Sequence, residues 1–226
     1  MALGLLALLA VGADRGAAWA TSESVTAAVE RGGTDVVDAD VQIHGFPFLT
    51  QLAAGSLERV TASLERGSFG GYGVSDVSID ARGVRPRSPW TTRQASADGV
   101  VAFDTIAAVM SERLGTDVTM GPAPGDPGAI TLGTSVTVLG AAVDVSAVVL
   151  PDVVDGELAV QVRGVSVGGA DVAVDALPGG LGDRLSGLRI PLDLPDGITL
   201  VGARGETDGV RLTIDARDVA LDAVAW

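Results

Sequence analysis

The chain has 226 residues, 47% of them apolar, which is enough to bury a sizeable core and excludes wholesale disorder. Fifteen positive residues, all of them Arg, stand against twenty-nine acids, and the resulting formal charge of -14 opposes non-specific attraction to DNA or RNA. Cys is absent, which removes disulfides, thiolate zinc sites and cysteine nucleophiles together, and the aromatic share of 4% leaves any cavity to be lined by aliphatic side chains.

Residues 2–11 form a nearly unbroken apolar run, followed by Gly12-Ala13-Asp14-Arg15 and then by Ala18-Trp19-Ala20, which has the small-x-small form of a signal peptidase site. The run is about 10 residues, short of the ~20 a helix needs to cross a bilayer, and no basic segment precedes it. Residues 1–20 therefore read as a signal peptide or as an N-terminal membrane anchor that continues into a helix over 21–31, with Val25, Ala28 and Val29 on one face. A soluble N-terminal core helix is the third reading of the same run. With no Pro/Ser-rich linker or charge block further on, residues 21–226 read as a single domain.

The next segment, Ile43-His44-Gly45-Phe46-Pro47-Phe48-Leu49-Thr50-Gln51-Leu52, holds two of the four phenylalanines and the only histidine. Pro47 fixes its own φ and biases Phe46 toward an extended conformation, so a rigid strand-to-helix corner is expected, serving as a core plug or as a ligand wall. Residues 57–64 and 72–81 carry period-two apolar positions, and Gly67 with Gly70-Gly71 suits a hairpin between them. Phe103, Ile106, Ala107, Met110 and Leu114 recur at helical spacing, with Asp104 as the expected N-cap and Gly115 as the stop. Strand patterns follow over 130–132, 136–139, 143–150 and 158–162. A glycine-weakened helix is expected over 177–188, an extended Pro-bounded piece over 190–195, and closing strands over 198–203 and 210–216 with Thr207-Asp208-Gly209 turning between them. The pattern predicts an α+β chain, an antiparallel sheet covered by a few helices, and residues 143–150 are apolar at both alternations, so both sheet faces need cover.

Catalytic chemistry is sparse. His44 is the only imidazole and no Gly-x-Ser-x-Gly elbow accompanies it, which argues against a Ser-His-Asp hydrolase. One His and no Cys leave only carboxylates for a metal, and Asp35, Asp38 and Asp40 form at best a loose cluster that an ordinary solvated loop explains as well. No catalytic residue, metal or cofactor is expected. Arg82, Arg85, Arg87 and Arg93 are free of acids between Asp80 and Asp98 and interleave with Pro86, Pro89 and Trp90. Guanidinium forks match phosphate oxygens and Trp favours membrane interfaces, so this loop reads as a headgroup or leaflet contact, or else as a solvated loop that balances charge.

The Gly-Phe-Pro-Phe-Leu-Thr-Gln core followed by Gly55, with Gly12-Ala13-Asp14-Arg15-Gly16-Ala17-Ala18 upstream and Gly209-Val210-Arg211-Leu212 and Asp218-Val219-Ala220-Leu221 downstream, resembles the LmeA-like family of actinobacterial envelope proteins. The resemblance implies phospholipid binding and an elongated, curled sheet similar to the tubular lipid-binding superfamily, forming a groove for acyl chains. Phe46, Phe48, Leu49, Leu52, Phe103, Ile106 and Met110 would then line the groove, and Arg85, Arg87, Trp90 and Arg93 would meet the headgroup or the membrane surface. It further implies export to the extracytoplasmic face of the membrane, phosphatidylinositol as a candidate ligand, and an indirect, non-enzymatic role in assembling envelope glycolipids. Two rivals are a scaffold whose exposed strand edges recruit envelope enzymes, and an enzyme acting on glycolipids through Asp/Glu pairs.

Overall fold

The computed structural model describes residues 11–24, 26, 36–69, 72–87, 89–138, 141–173, 188–190 and 194–220. Three helices occur among them: α1 over residues 11–24, α2 (Phe48–Ala54) and α3 (Phe103–Leu114). The strands are β1 (Asp40–His44), β2 (Leu57–Phe69), β3 (Tyr72–Val84), β4 (Thr91–Ala102), β5 (Val118–Pro122), β6 (Ile130–Val138), β7 (Ala141–Val154), β8 (Glu157–Val167), β9 (Ala170–Val172), β10 (Leu188–Ile190), β11 (Ile198–Gly205) and β12 (Gly209–Ala220). One sheet has the order β1-β2-β3-β4-β12-β11 and the other β10-β8-β7-β6-β5, with β9 beside β8. The architecture is the expected α+β, dominated by antiparallel pairing.

The chain divides into two compact units. The first comprises Met1–Gly99, Leu194–Thr199 and Ile214–Trp226, and its core joins Ala18, Phe48, Leu57, Ala81 and Val84, with Ile43 and Val60 packed against them. Leu57 pairs with Val84 and Val60 with Ala81 across the β2–β3 ladder, so cross-strand apolar pairs supply the sheet side of this core. Among the described residues strand β1 has a strand neighbour on one side only, and at its other edge the Ile43 N–H donates to Ser22 Oγ of α1 at 3.2 Å and the Val41 N–H to Thr26 Oγ1, just beyond α1, at 3.0 Å. An edge strand protected in this way cannot template further pairing.

The second unit, Val100–Asp193 and Leu200–Thr213, packs Phe103 and Ile106 of α3 on Ile130, Val149 and Val210, with Met120, Leu132, Val160 and Val162 around them. Val149 is buried while its neighbours Val148 and Leu150 are half-buried, which is how a segment apolar at both alternations is accommodated. The β7–β8 register shifts between Val148 and Val149, leaving Arg163 as the extra residue beside Gly164.

Several expectations are revised. The strand patterns over 130–132 and 136–139 belong, as far as Val138, to one strand, β6, with Leu139 outside the described residues, and the 57–64 and 72–81 patterns extend to 13 residues each in β2 and β3. Gly67 lies inside β2, and the hairpin connection at 70–71 lies outside the described residues. Asp104 is in the first turn of α3 rather than at its N-cap, which is Ala102; its carboxylate accepts the Thr105 N–H at 2.7 Å and still faces the positive end of the helix. Gly115 ends α3 at φ 66°, as expected. The helix expected over 177–188 lies outside the described residues except for Leu188, which is extended in β10. The basic segment is a loop only between Val84 and Thr91, because Arg82 is on β3 and Arg93 on β4.

Two predictions follow from this packing. Asp14 is 4% exposed, and its carboxylate oxygens each lie 2.8 Å from the Phe48 and Leu49 amides. Asp14→Ala leaves two donors unpaired and is expected to cost about 2–3 kcal/mol in denaturant unfolding, with Asp14→Asn intermediate. In the second unit the Glu206 carboxyl is held below its usual range, first by its hydrogen bond from Arg211, whose Nε is 2.6 Å from Oε1, and then by Arg204, against the opposing effect of burial. A depressed carboxyl stabilises the fold above its unfolded-state pKa and loses that contribution as pH falls through the folded one. Glu206→Gln is expected to lower stability by about 1 kcal/mol at neutral pH, the gap closing in unfolding measured below the ordinary carboxylate range.

Candidate functional site

The chain leaves β1 at His44 through Gly45, at φ 102°, and a cis Phe46–Pro47 peptide into α2. Pro47 is the N-cap of α2 and offers no side-chain acceptor, so the first N–H groups of the helix are satisfied instead by Asp14 of α1. At the other end Gly55, at φ 70°, donates its N–H to Leu52 O at 3.0 Å, and the Ser56 N–H reaches Gln51 O at 3.1 Å. This seven-residue helix is therefore fixed at both ends before any of its side chains is considered.

Beside it is a polar cavity of about 390 Å³ lined by Gln51, Ser56, Glu58, Arg82, Gly83, Arg93 and Gln94, all in the first unit. Its position follows from a break in strand alternation. Ala81 and Val84 both point into the core with Arg82 and Gly83 between them, and Gly83 at φ 64° absorbs the slip. The Arg93 side chain lies across Gly83, where a Cβ would sit 3.0 Å from its Nε and Nη2. Arg87 covers Gly55 in the same manner, and Gln51 with Glu58 covers Gly45. Three left-handed glycines are thus each covered by a polar or charged side chain. Buried Thr92 ties the two arginine-bearing strands, its hydroxyl 3.1 Å from Arg82 O and 3.0 Å from Gln94 O. The Gln51 Oε1 accepts the Glu58 N–H at 2.7 Å, while Nε2 is closed off from solvent and has no hydrogen-bond partner.

The predicted groove residues fall into three groups. Phe48 is 2% exposed and belongs to the core of the first unit. Phe46, Leu49 and Leu52 are exposed, and none of them lines the polar cavity. Phe103, Ile106 and Met110 belong to the second unit, where Phe103 and Ile106 form its core and Met110 is half-buried. Of the predicted headgroup residues, Arg93 lines the cavity, Arg87 lies over Gly55 beside it, and Arg85 and Trp90 are exposed on the β3–β4 connection. Sequence reasoning placed Arg82 in the basic patch and missed Gln51 and Glu58 beside it; the available signal was a helix-borne amide flanked by glycines.

Five exposed apolar residues, Val11, Trp19, Phe46, Leu49 and Leu52, lie on α1, on α2 and at the corner before α2. Val11, Arg15 and Trp19 are spaced by four along α1, and the Arg15 guanidinium stacks 5.5 Å from the Phe46 ring centroid. Trp19 is 69% exposed and Phe46 50%, and Leu49 and Leu52 lie one turn apart on α2. Isolated exposed aromatics are ordinary, but several joined by a helix pair mark a contact surface.

Other chemistry is weakly served. The imidazole of His44 is engaged with Thr61 Oγ1 at 2.7 Å. Asp80 and Asp215 converge on a smaller cavity of about 180 Å³ with Arg82, but the hydrogen bond from Arg59, whose Nη2 is 2.7 Å from Asp80 Oδ2, holds the Asp80 carboxyl below its usual range. A general acid requires a shift in the opposite direction. Asp35 lies outside the described residues, and among the described residues no three His, Asp or Glu side chains converge as metal ligands.

No curated protein and no solved structure matches the chain. A family model described as LmeA-like phospholipid-binding matches residues 12–215, a span that begins two residues before Asp14 and includes both units' core clusters, the polar cavity and, of the exposed apolar residues on α1 and α2, all but Val11. The chain belongs to the LmeA-like phospholipid-binding family.

Proposed function

We infer that this phospholipid-binding protein works without catalysis at the extracytoplasmic face of a membrane, holding lipid for the assembly of envelope glycolipids. The exposed apolar face of Phe46, Leu49, Leu52, Val11 and Trp19 carries the membrane contact, because it is flanked by Arg15 and by Arg87, which can meet lipid phosphates as the apolar side chains enter the leaflet. Among the described residues no helix is long and apolar enough to cross a membrane, and the contact proposed is interfacial. Phosphatidylinositol is one candidate lipid. Burying one CH₂ stabilises by about 0.8 kcal/mol, so partial shelter of an acyl chain supports micromolar affinity after association costs.

Residues 11–24 stay with the domain in this reading. Cleavage after Ala20 would remove the Asp14 carboxylate from α2 and Ala18 from the core, so residues 11–24 serve as a core helix of the folded protein rather than as part of a discarded signal. The scaffold alternative draws no support from β1, whose free edge α1 already occupies.

Two measurements test the proposal. The full chain, purified without detergent from a lipid-containing host, is expected to show a stoichiometric phospholipid by native mass spectrometry; a folded protein that carries none and takes up none from vesicles would sink the carrier reading. Leu49→Glu with Leu52→Glu, both at exposed positions, is expected to weaken vesicle association at least tenfold at unchanged thermal stability, from the loss of about 1.5 kcal/mol or more per leucine.

A further inference from the structure

We propose that the polar cavity at the C-terminal end of α2 binds a phosphodiester whose alcohol carries hydrogen-bond donors. This deepens the lipid-binding reading and rests on it. At about 390 Å³ the cavity is within the size range of small-molecule sites, about 300–1,000 Å³. Its lining of Gln51, Ser56, Glu58, Arg82, Gly83, Arg93 and Gln94 contains no large apolar side chain, so it suits a headgroup better than an acyl tail.

The donors and acceptors divide the ligand into two parts. Arg93 makes no ion pair among the described residues and lies against Gly83, so no carboxylate stands within ion-pair distance of its guanidinium. Arg82 is attached to Asp80 only loosely, at 3.7 Å, because Asp80 is already engaged by Arg59 at 2.7 Å. Two guanidinium groups are a donor set for phosphate oxygens. Glu58 and the carbonyl oxygen of Gln94 are acceptors that a bare phosphate would leave unused and that the Glu58 charge would oppose. A hydroxyl or ammonium group attached to the phosphate answers both, whereas a choline cap offers no N–H or O–H to them.

Isothermal titration of the full chain, stripped of lipid, with three soluble probes separates the sources of phosphate. Glycerophosphoethanolamine is expected to bind saturably, glycerophosphocholine at least tenfold more weakly, and inorganic phosphate weakest. Arg93→Gln should weaken the ethanolamine diester at least tenfold, Arg93→Lys should recover part of that loss, and Glu58→Gln should remove the preference over choline. Inorganic phosphate binding as tightly as the diesters, or an Arg93→Gln protein of wild-type affinity, would overturn the proposal. So would the absence of saturable binding by all three probes to a protein that still takes up phospholipid from vesicles, an outcome that leaves the lipid-binding reading standing. Arg93 and Glu58 are exposed, so their replacement leaves the core untouched.

Discussion

The carboxylate of Asp14 closing the N-terminus of α2 is the contact on which the site depends. A helix of seven residues is too short to persist on its own, and α2 begins at a proline that can offer its amides nothing. Asp14 supplies both missing acceptors from another helix, thirty-four and thirty-five residues earlier in sequence, and the positive end of α2 in turn stabilises an acid that is otherwise almost wholly buried. Ala18, one turn further along α1, enters the same core as Phe48, and Ser22 and Thr26 engage the edge of β1. Helix, corner and edge strand therefore form one cooperative piece, and what α2 presents on its outer side is set by what α1 holds on its inner side.

Glycine placement converts that piece into a polar site. Gly45, Gly55 and Gly83 all adopt positive φ, which a side-chain-bearing residue would resist, and each leaves its backbone open to the flat end of an amide, a carboxylate or a guanidinium. Long polar side chains pinned in this way lose less freedom on meeting a ligand than ones that extend into water. The same slip in β3 that requires Gly83 puts Ala81 and Val84 into the core together, so the packing of the first unit and the opening of the cavity have a common origin.

Much of this was legible in the sequence, and the parts that were not have identifiable reasons. The α3 helix was clear because its apolar residues recur at 3.6 and Gly115 stops it; the α+β class was clear because alternation dominates from residue 57 onward. The strand-to-helix corner at Pro47 was foreseen, but its division of labour was not: Phe46 and Phe48 are identical in type and two residues apart, and only the entry angle of α2 decides that one is 50% exposed and the other 2%. Strand β4 was hidden because Arg82 to Arg93 reads as a charged loop, although two of its four arginines, Arg82 and Arg93, are borne by the ends of two strands. The partnership of Asp14 with residues 48 and 49 is long-range and has no periodic signature, so an acid within an apolar N-terminal run was its only trace.

Charge distribution reconciles an acidic protein with a phospholipid partner. The net charge of -14 would repel an anionic surface at a distance, but at physiological ionic strength such fields fade over about 8 Å, and what matters is the charge that arrives at contact. Arg59, Arg189, Arg204 and Arg211 are spent on neighbouring acids within the fold. Arg15, Arg87 and Arg93 are instead laid on an aromatic ring or on glycine backbone, at and beside the apolar face of α1 and α2. Under the proposed membrane contact, the acids elsewhere discourage adhesion by the wrong surface, and orientation follows from a few arginines outside ion pairs placed next to the exposed hydrophobic residues.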